Sequence, residues 1–178
     1  MPSYGNPIQS LSALLQGSDA RPRVVPSRLA PSALYDVDYR ISILALVFEA
    51  FATPFGHGTH RIQTARFKLL QFVSIRPWLI PAIREWSKGT GQAAFTFTLS
   101  MRIRRGFLSD SAYDDVVQFL TASGVFERGE SHIISGPNFN ELASMTALIR
   151  NTNLFERERN AIEALKAIKL TANMLEGW

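Results

Sequence analysis

The strongest constraint on the fold lies between residues 109 and 136. "SDSAYDDVVQFLTASG", 109–124, sets Tyr113, Val116, Val117 and Leu120 at spacings of three and four, so a helix there carries one apolar stripe. Gly124 is the stop, because glycine adopts the left-handed conformation that closes helices. "GVFERGESHIISG", 124–136, then holds two short runs about "RGE", 128–130, the pattern of a tight hairpin.

A helix feeding a short hairpin is the signature of a winged helix, and helices are expected on both sides of it. "DYRISILALVFEAFA", 38–52, is apolar on most faces and reads as a buried helix with Asp38 as N-cap. "TPFGHG" ends it with a proline and two glycines. "THRIQTARFKLLQFVSI", 59–75, reads as the next helix, with Thr59 as N-cap. Ile62, Ala65, Leu69, Phe72 and Val73 fall on one face of it; Arg61, Thr64, Lys68 and Gln71 fall opposite. "WLIPAIREWSKG" follows as a third short helix. "FTFTLSMRIR", 95–104, alternates strictly and reads as a half-buried strand. "NFNELASMTALIRN" opens with Asn138 and Glu141 in capping-box spacing, and its apolar face is Phe139, Leu142, Met145 and Ile149. From Leu154 onward, Ala161, Leu165, Ile168, Ala172 and Leu175 make a heptad-like seam, suited to the protein's own body or to a partner helix.

The expected fold is therefore mainly α with a small β-sheet, a winged-helix-like domain with extra N- and C-terminal helices. Residues 1–37, with five of the nine prolines, form an extended arm; 38–153 form the winged-helix-like core; 154–178 form a C-terminal helix.

Chemistry is sparse. There are no cysteines, which excludes disulfides, a thiol nucleophile and cysteine-based metal sites. "GHGTH" places His57 and His60 three apart, but the glycines favour a loop over a rigid ligand pair. In "WSKGTGQ" the lysine precedes the glycines, so it is no phosphate-binding loop. The carboxylate pairs Asp114–Asp115 and Glu156/Glu158 do not face each other as an acid/base couple would. No GxSxG elbow appears. A non-enzyme without cofactor is expected. The longest uncharged apolar run, "ISILALVF", is far short of the roughly 18 residues a membrane span needs. With no secretion signal legible at the start, a cytoplasmic protein is expected.

Charge is segregated. The formal charge runs 0 over residues 1–56, +8 over 57–108 and −4 over 109–178. The basic block is Arg61, Arg66, Lys68, Arg76, Arg84, Lys88, Arg102, Arg104 and Arg105. It suits non-specific contact with the backbone of double-stranded DNA, or else neutralisation by the acidic block within the fold. The helix ahead of the hairpin starts with Asp110, Asp114 and Asp115, which favour the positive end of its dipole. In a DNA-reading winged helix that same end approaches phosphates, and three carboxylates would repel them. The hairpin adds Glu127 and Glu130 against Arg128. In a winged helix, then, the usual DNA face would be acidic here and is expected to bind protein or nothing.

"YDVDYRISILALVFEAF", "GTHRIQTARFKLLQFVSIRPWLI" and "RRGFLSDSAYDDVVQFLTASGVF" resemble the middle component of three-component bacterial ABC-ATPase systems, among them the Lamassu-type anti-phage and anti-plasmid systems. The resemblance spans roughly residues 35–135 and rests on hydrophobic pattern, not on catalytic residues. It implies a small non-catalytic subunit that bridges an SMC-like ABC ATPase and an effector, often a nuclease. On that reading Asp110, Asp114, Asp115, Glu127, Arg128 and Glu130, with Leu165, Ile168 and Leu175, meet protein partners, and the basic block holds DNA. The alternative is a winged-helix transcriptional regulator that binds DNA as a homodimer.

Overall fold

A computed structural model describes residues 36–88 and 105–170 of the chain. The expected strand 95–104, Gly89, Arg102, Arg104, Leu175 and the arm before Asp36 lie outside the described residues.

Helix α1 (Val37–Phe51) is followed by strands β1 (Thr53–Phe55) and β2 (Thr59–Gln63), then by α2 (Thr64–Ser74). A 3-10 turn (Pro77–Leu79) leads into α3 (Ile80–Lys88). Beyond residue 105 come α4 (Ser111–Ala122), β3 (Phe126–Arg128), β4 (His132–Ser135), α5 (Phe139–Arg150) and α6 (Glu156–Lys166). The described residues are mainly helical, with one small antiparallel sheet of four strands in the order β1-β2-β4-β3.

Helix α1 is buried along Tyr39–Phe48 and forms the axis of the core, because eight of those ten residues are apolar and no polar stripe points outward. Its N-cap is Asp36, whose Oδ1 accepts from the Tyr39 N–H at 3.0 Å; Asp38, expected in that role, stands inside the first turn. Around α1 lie α2, α4, α5 and α6. Phe48 packs against Phe67, Phe126 and Phe139, with ring centroids 5.8, 5.0 and 5.1 Å away, so one aromatic cluster joins α1, α2, β3 and α5.

The expected helix 59–75 is corrected at its start. Residues Thr59–Gln63 form a strand that pairs β1 on one side and β4 on the other, and the helix begins only at Thr64. Gly56 and Gly58 take positive φ (66° and 75°), which lets "TPFGHGTHRIQ" fold back as a hairpin instead of a mere helix stop. Thr59 is no N-cap; its hydroxyl donates to the Phe55 carbonyl across that turn. Pro54 is tolerated because β1 is an edge strand. Gln71, placed on a polar face by spacing alone, is fully buried, since α2 is enclosed on nearly all sides.

The capping box at α5 does not form. The Asn138 side-chain amide donates to the Ser123 carbonyl at 2.8 Å, which ties α5 to the end of α4 instead of capping its own helix. Nor is the last helix an appendage. Ala161, Ile162, Leu165 and Ile168 lie in the same core as α1, and α6 packs on α1, α2 and α3.

Candidate protein-interaction surface

The three aspartates of the α4 region have three different fates. Asp110 is buried, and its Oδ2 accepts from Arg40 Nη1 at 3.0 Å, with Arg76 Nη1 at 4.0 Å. It is a structural residue and not a partner contact. Asp114 is exposed and bonded to Lys68 Nζ at 2.8 Å, a surface pair worth about 0–1 kcal/mol. Asp115 is exposed and makes no ion pair among the described residues.

The buried stripe of α4 is Tyr113, Val116, Val117 and Leu120, as its spacing requires. The opposite side presents Ser111, Asp114, Asp115, Gln118, Phe119 and Ala122, with no lysine or arginine among them. Phe119 is 37% exposed, four residues after Asp115 and off the apolar stripe.

The β3–β4 hairpin is fixed to this helix by main-chain bonds. After Ala122, Gly124 takes φ +73°, the Gly124 N–H donates to the Thr121 carbonyl and the Val125 N–H to the Leu120 carbonyl. This paired closure, with Val125 and Leu120 both buried, sets the direction in which β3 leaves. Gly136 packs so closely on the Gly124 carbonyl that a Cβ there would meet its oxygen at 2.4 Å. The sheet turns Ile62, Phe126, Ile133 and Ser135 inward, and the register Arg61↔Ile134 and Glu127↔Ile134 puts those three side chains on the outer face. Glu127, Arg128 and Glu130 are exposed, and neither glutamate makes an ion pair among the described residues. The outward side of α4 is therefore acidic with one aromatic ring in it, and the β3–β4 hairpin adds Glu127 and Glu130 beside Arg61 and Arg128.

Among the described residues, the basic block does not assemble into one free cationic face. Lys68 and Arg76 turn toward Asp114 and Asp110, and Lys88 lies 3.6 Å from Glu85. Arg61 stacks 4.3 Å over the Phe55 ring and Arg66 lies 5.8 Å over Phe51. Arg84 and Arg105 are exposed. Leu165 and Ile168, expected at a partner helix, are buried in the protein's own core. Arg40 and Phe119 were not foreseen. An arginine inside "RISILALVF" and a phenylalanine off an apolar stripe are the signals that single them out.

Two buried phenols bear on pH behaviour. Burial, and then the neighbouring Glu158 carboxylate, push the Tyr39 phenol above its usual value of 10.0, while its hydroxyl donates to Glu158 Oε1 at 3.1 Å. Burial raises Tyr113 as well, and its hydroxyl has no partner among the described residues. Both groups are raised relative to the unfolded chain, so their contribution is complete below about pH 10 and declines as pH climbs above it. Denaturant midpoints should thus fall at alkaline pH. Tyr113→Phe should flatten that fall with little cost at pH 7, because it removes an unmet hydroxyl. Tyr39→Phe should cost about 1–3 kcal/mol at pH 7 by leaving buried Glu158 without its donor.

Among the described residues no three histidine, aspartate or glutamate side chains gather as a metal site would need, and no helix is long and apolar enough to cross a membrane. No protein-family model, curated protein or solved structure matches this chain.

Proposed function

We propose that this chain is a non-catalytic adaptor that docks a protein partner on the outward side of α4 and the β3–β4 wing. The scaffold is read as winged-helix-like: α1, β2, α2, α4 and the β3–β4 hairpin follow one another in that order, with β4 between β2 and β3. The observation that carries the reading is the charge of the helix such a fold presents. Among the described residues its exposed side bears Asp114, Asp115 and Phe119, with Lys68 paired to Asp114, and the hairpin presents Glu127 and Glu130 against Arg128. DNA phosphates are repelled there, whereas a protein surface bearing lysine or arginine around an apolar pocket is complementary. The resemblance to middle components of bacterial ABC-ATPase systems supplies the class of partner: an SMC-like coiled-coil ATPase, with an effector bridged to it, in a cytoplasmic anti-phage or anti-plasmid system. Among the described residues of the basic block, Arg61, Arg66, Arg84 and Arg105 are the cations left to touch a DNA backbone without reading sequence.

Asp115→Lys with Phe119→Ala tests this. Neither change breaks an ion pair among the described residues, unlike Asp114→Lys, which would set two lysines together. Affinity for the ATPase should fall ~10–100-fold, the scale of losing a buried anchor and reversing a complementary charge, with thermal stability unchanged. Calorimetry with the purified ATPase measures it. The regulator alternative predicts the opposite sign in a DNA-binding assay: the same variant should bind duplex DNA more tightly than wild type.

A further inference from the structure

Asp110 occupies the position before α4 at which a carboxylate ordinarily accepts from the first N–H groups of a helix, yet it makes no such bond. It turns inward to Arg40, whose side chain is 2% exposed. The same Arg40 nitrogen donates to Gln71 Oε1 at 3.4 Å, and Gln71 Nε2, also buried, has no partner among the described residues. Two desolvated charges beside an unmet amide are a poor means of stabilising a core; apolar side chains of similar volume commonly serve as well or better. The arrangement does supply direction. A hydrogen bond weakens steeply as its angle closes, whereas apolar side chains repack with modest loss. Arg40 lies on α1, Gln71 near the end of α2 and Asp110 at the entry to α4, so their bonds form at one relative placement of these elements.

We infer that the Arg40–Asp110 pair is a positioning element. It holds α4, and through the Gly124 closure the wing, at a single angle to α1 and α2, so that Asp115, Phe119 and Glu127 are presented as one surface. The inference rests on the docking reading for its consequence, and it is tested on the free chain.

The experiment is amide hydrogen exchange with thermal unfolding on the full-length protein, comparing wild type with Arg40→Met/Asp110→Leu. The expected result is a Tm close to wild type or higher. Exchange should rise tenfold or more in residues 111–128, while α5 stays protected. Where the double variant fails to fold, Asp110→Asn carries the test: opening confined to α4 and the wing supports the inference, and uniform loss of protection overturns it. A double variant that folds with unchanged exchange in α4 also overturns it. A second readout separates this from the docking reading: loosened α4 with unchanged ATPase affinity retains the positioning element and refutes the docking surface.

Discussion

Asp110→Ala is expected to destabilise the protein by about 3–5 kcal/mol, the usual cost of removing one partner of a buried ion pair. The pair joins residues 70 apart in sequence, and both side chains are almost wholly enclosed, at 2% and 5% exposure. Without the carboxylate, the Arg40 guanidinium stays buried, and Arg76, 4.0 Å from the same oxygen, loses the same counter-charge. Domains of this kind have only about 5–15 kcal/mol of total stability, so a fall in Tm on the order of 10 °C follows. Asp110→Ser discriminates the cause. Serine is a good N-cap but carries no charge, so it should not restore stability if the ion pair matters and should do so if capping does. Thermal and urea unfolding followed by circular dichroism read all three proteins.

Phe48→Ala is expected to cost a similar amount, about 3–5 kcal/mol, through a cavity at the centre of the core. Phe48 is fully buried and meets rings from α2, β3 and α5. No single neighbour can move in to fill the space, because each is held by its own element. Phe48→Leu keeps more of the volume and should cost less, under about 1.5 kcal/mol where the neighbours repack. A double-mutant cycle with Phe126→Leu should show coupling of about 0.5–1.5 kcal/mol, since the two rings lie 5.0 Å apart. Additive effects would mean that the wing is not locked to α1 through this contact.

What was legible in the sequence was local. The α4 stripe and the hairpin about "RGE" follow from spacing and turn chemistry within 28 residues, and all four stripe residues are buried where that spacing puts them. The strand at 59–63 was not legible. Ile62 sits three residues before Ala65 and seven before Leu69, so it extends a helical pattern even though its backbone is extended. Its conformation is decided by pairing with Ile133, a contact no local period records. The same holds at the candidate surface. Charge counting marked Asp110, Asp114 and Asp115 alike, but only tertiary structure separates a carboxylate paired with Arg40 from one on Lys68 and one facing outward. The C-terminal seam suited the protein's own body first and a partner helix second, and Leu165 and Ile168 turned inward because α1 and α2 offered an apolar face within reach.

The measurement that tests the central claim most directly is purification of the tagged protein from its native host, with nuclease added, followed by mass spectrometry of wild type and of Asp115→Lys/Phe119→Ala side by side. The account predicts a coiled-coil ATPase in near-stoichiometric amount with the wild type and its loss with the variant. Recovery of the wild type alone as a homodimer, or of the ATPase equally with both proteins, would contradict the assignment of α4 and its wing as the docking surface.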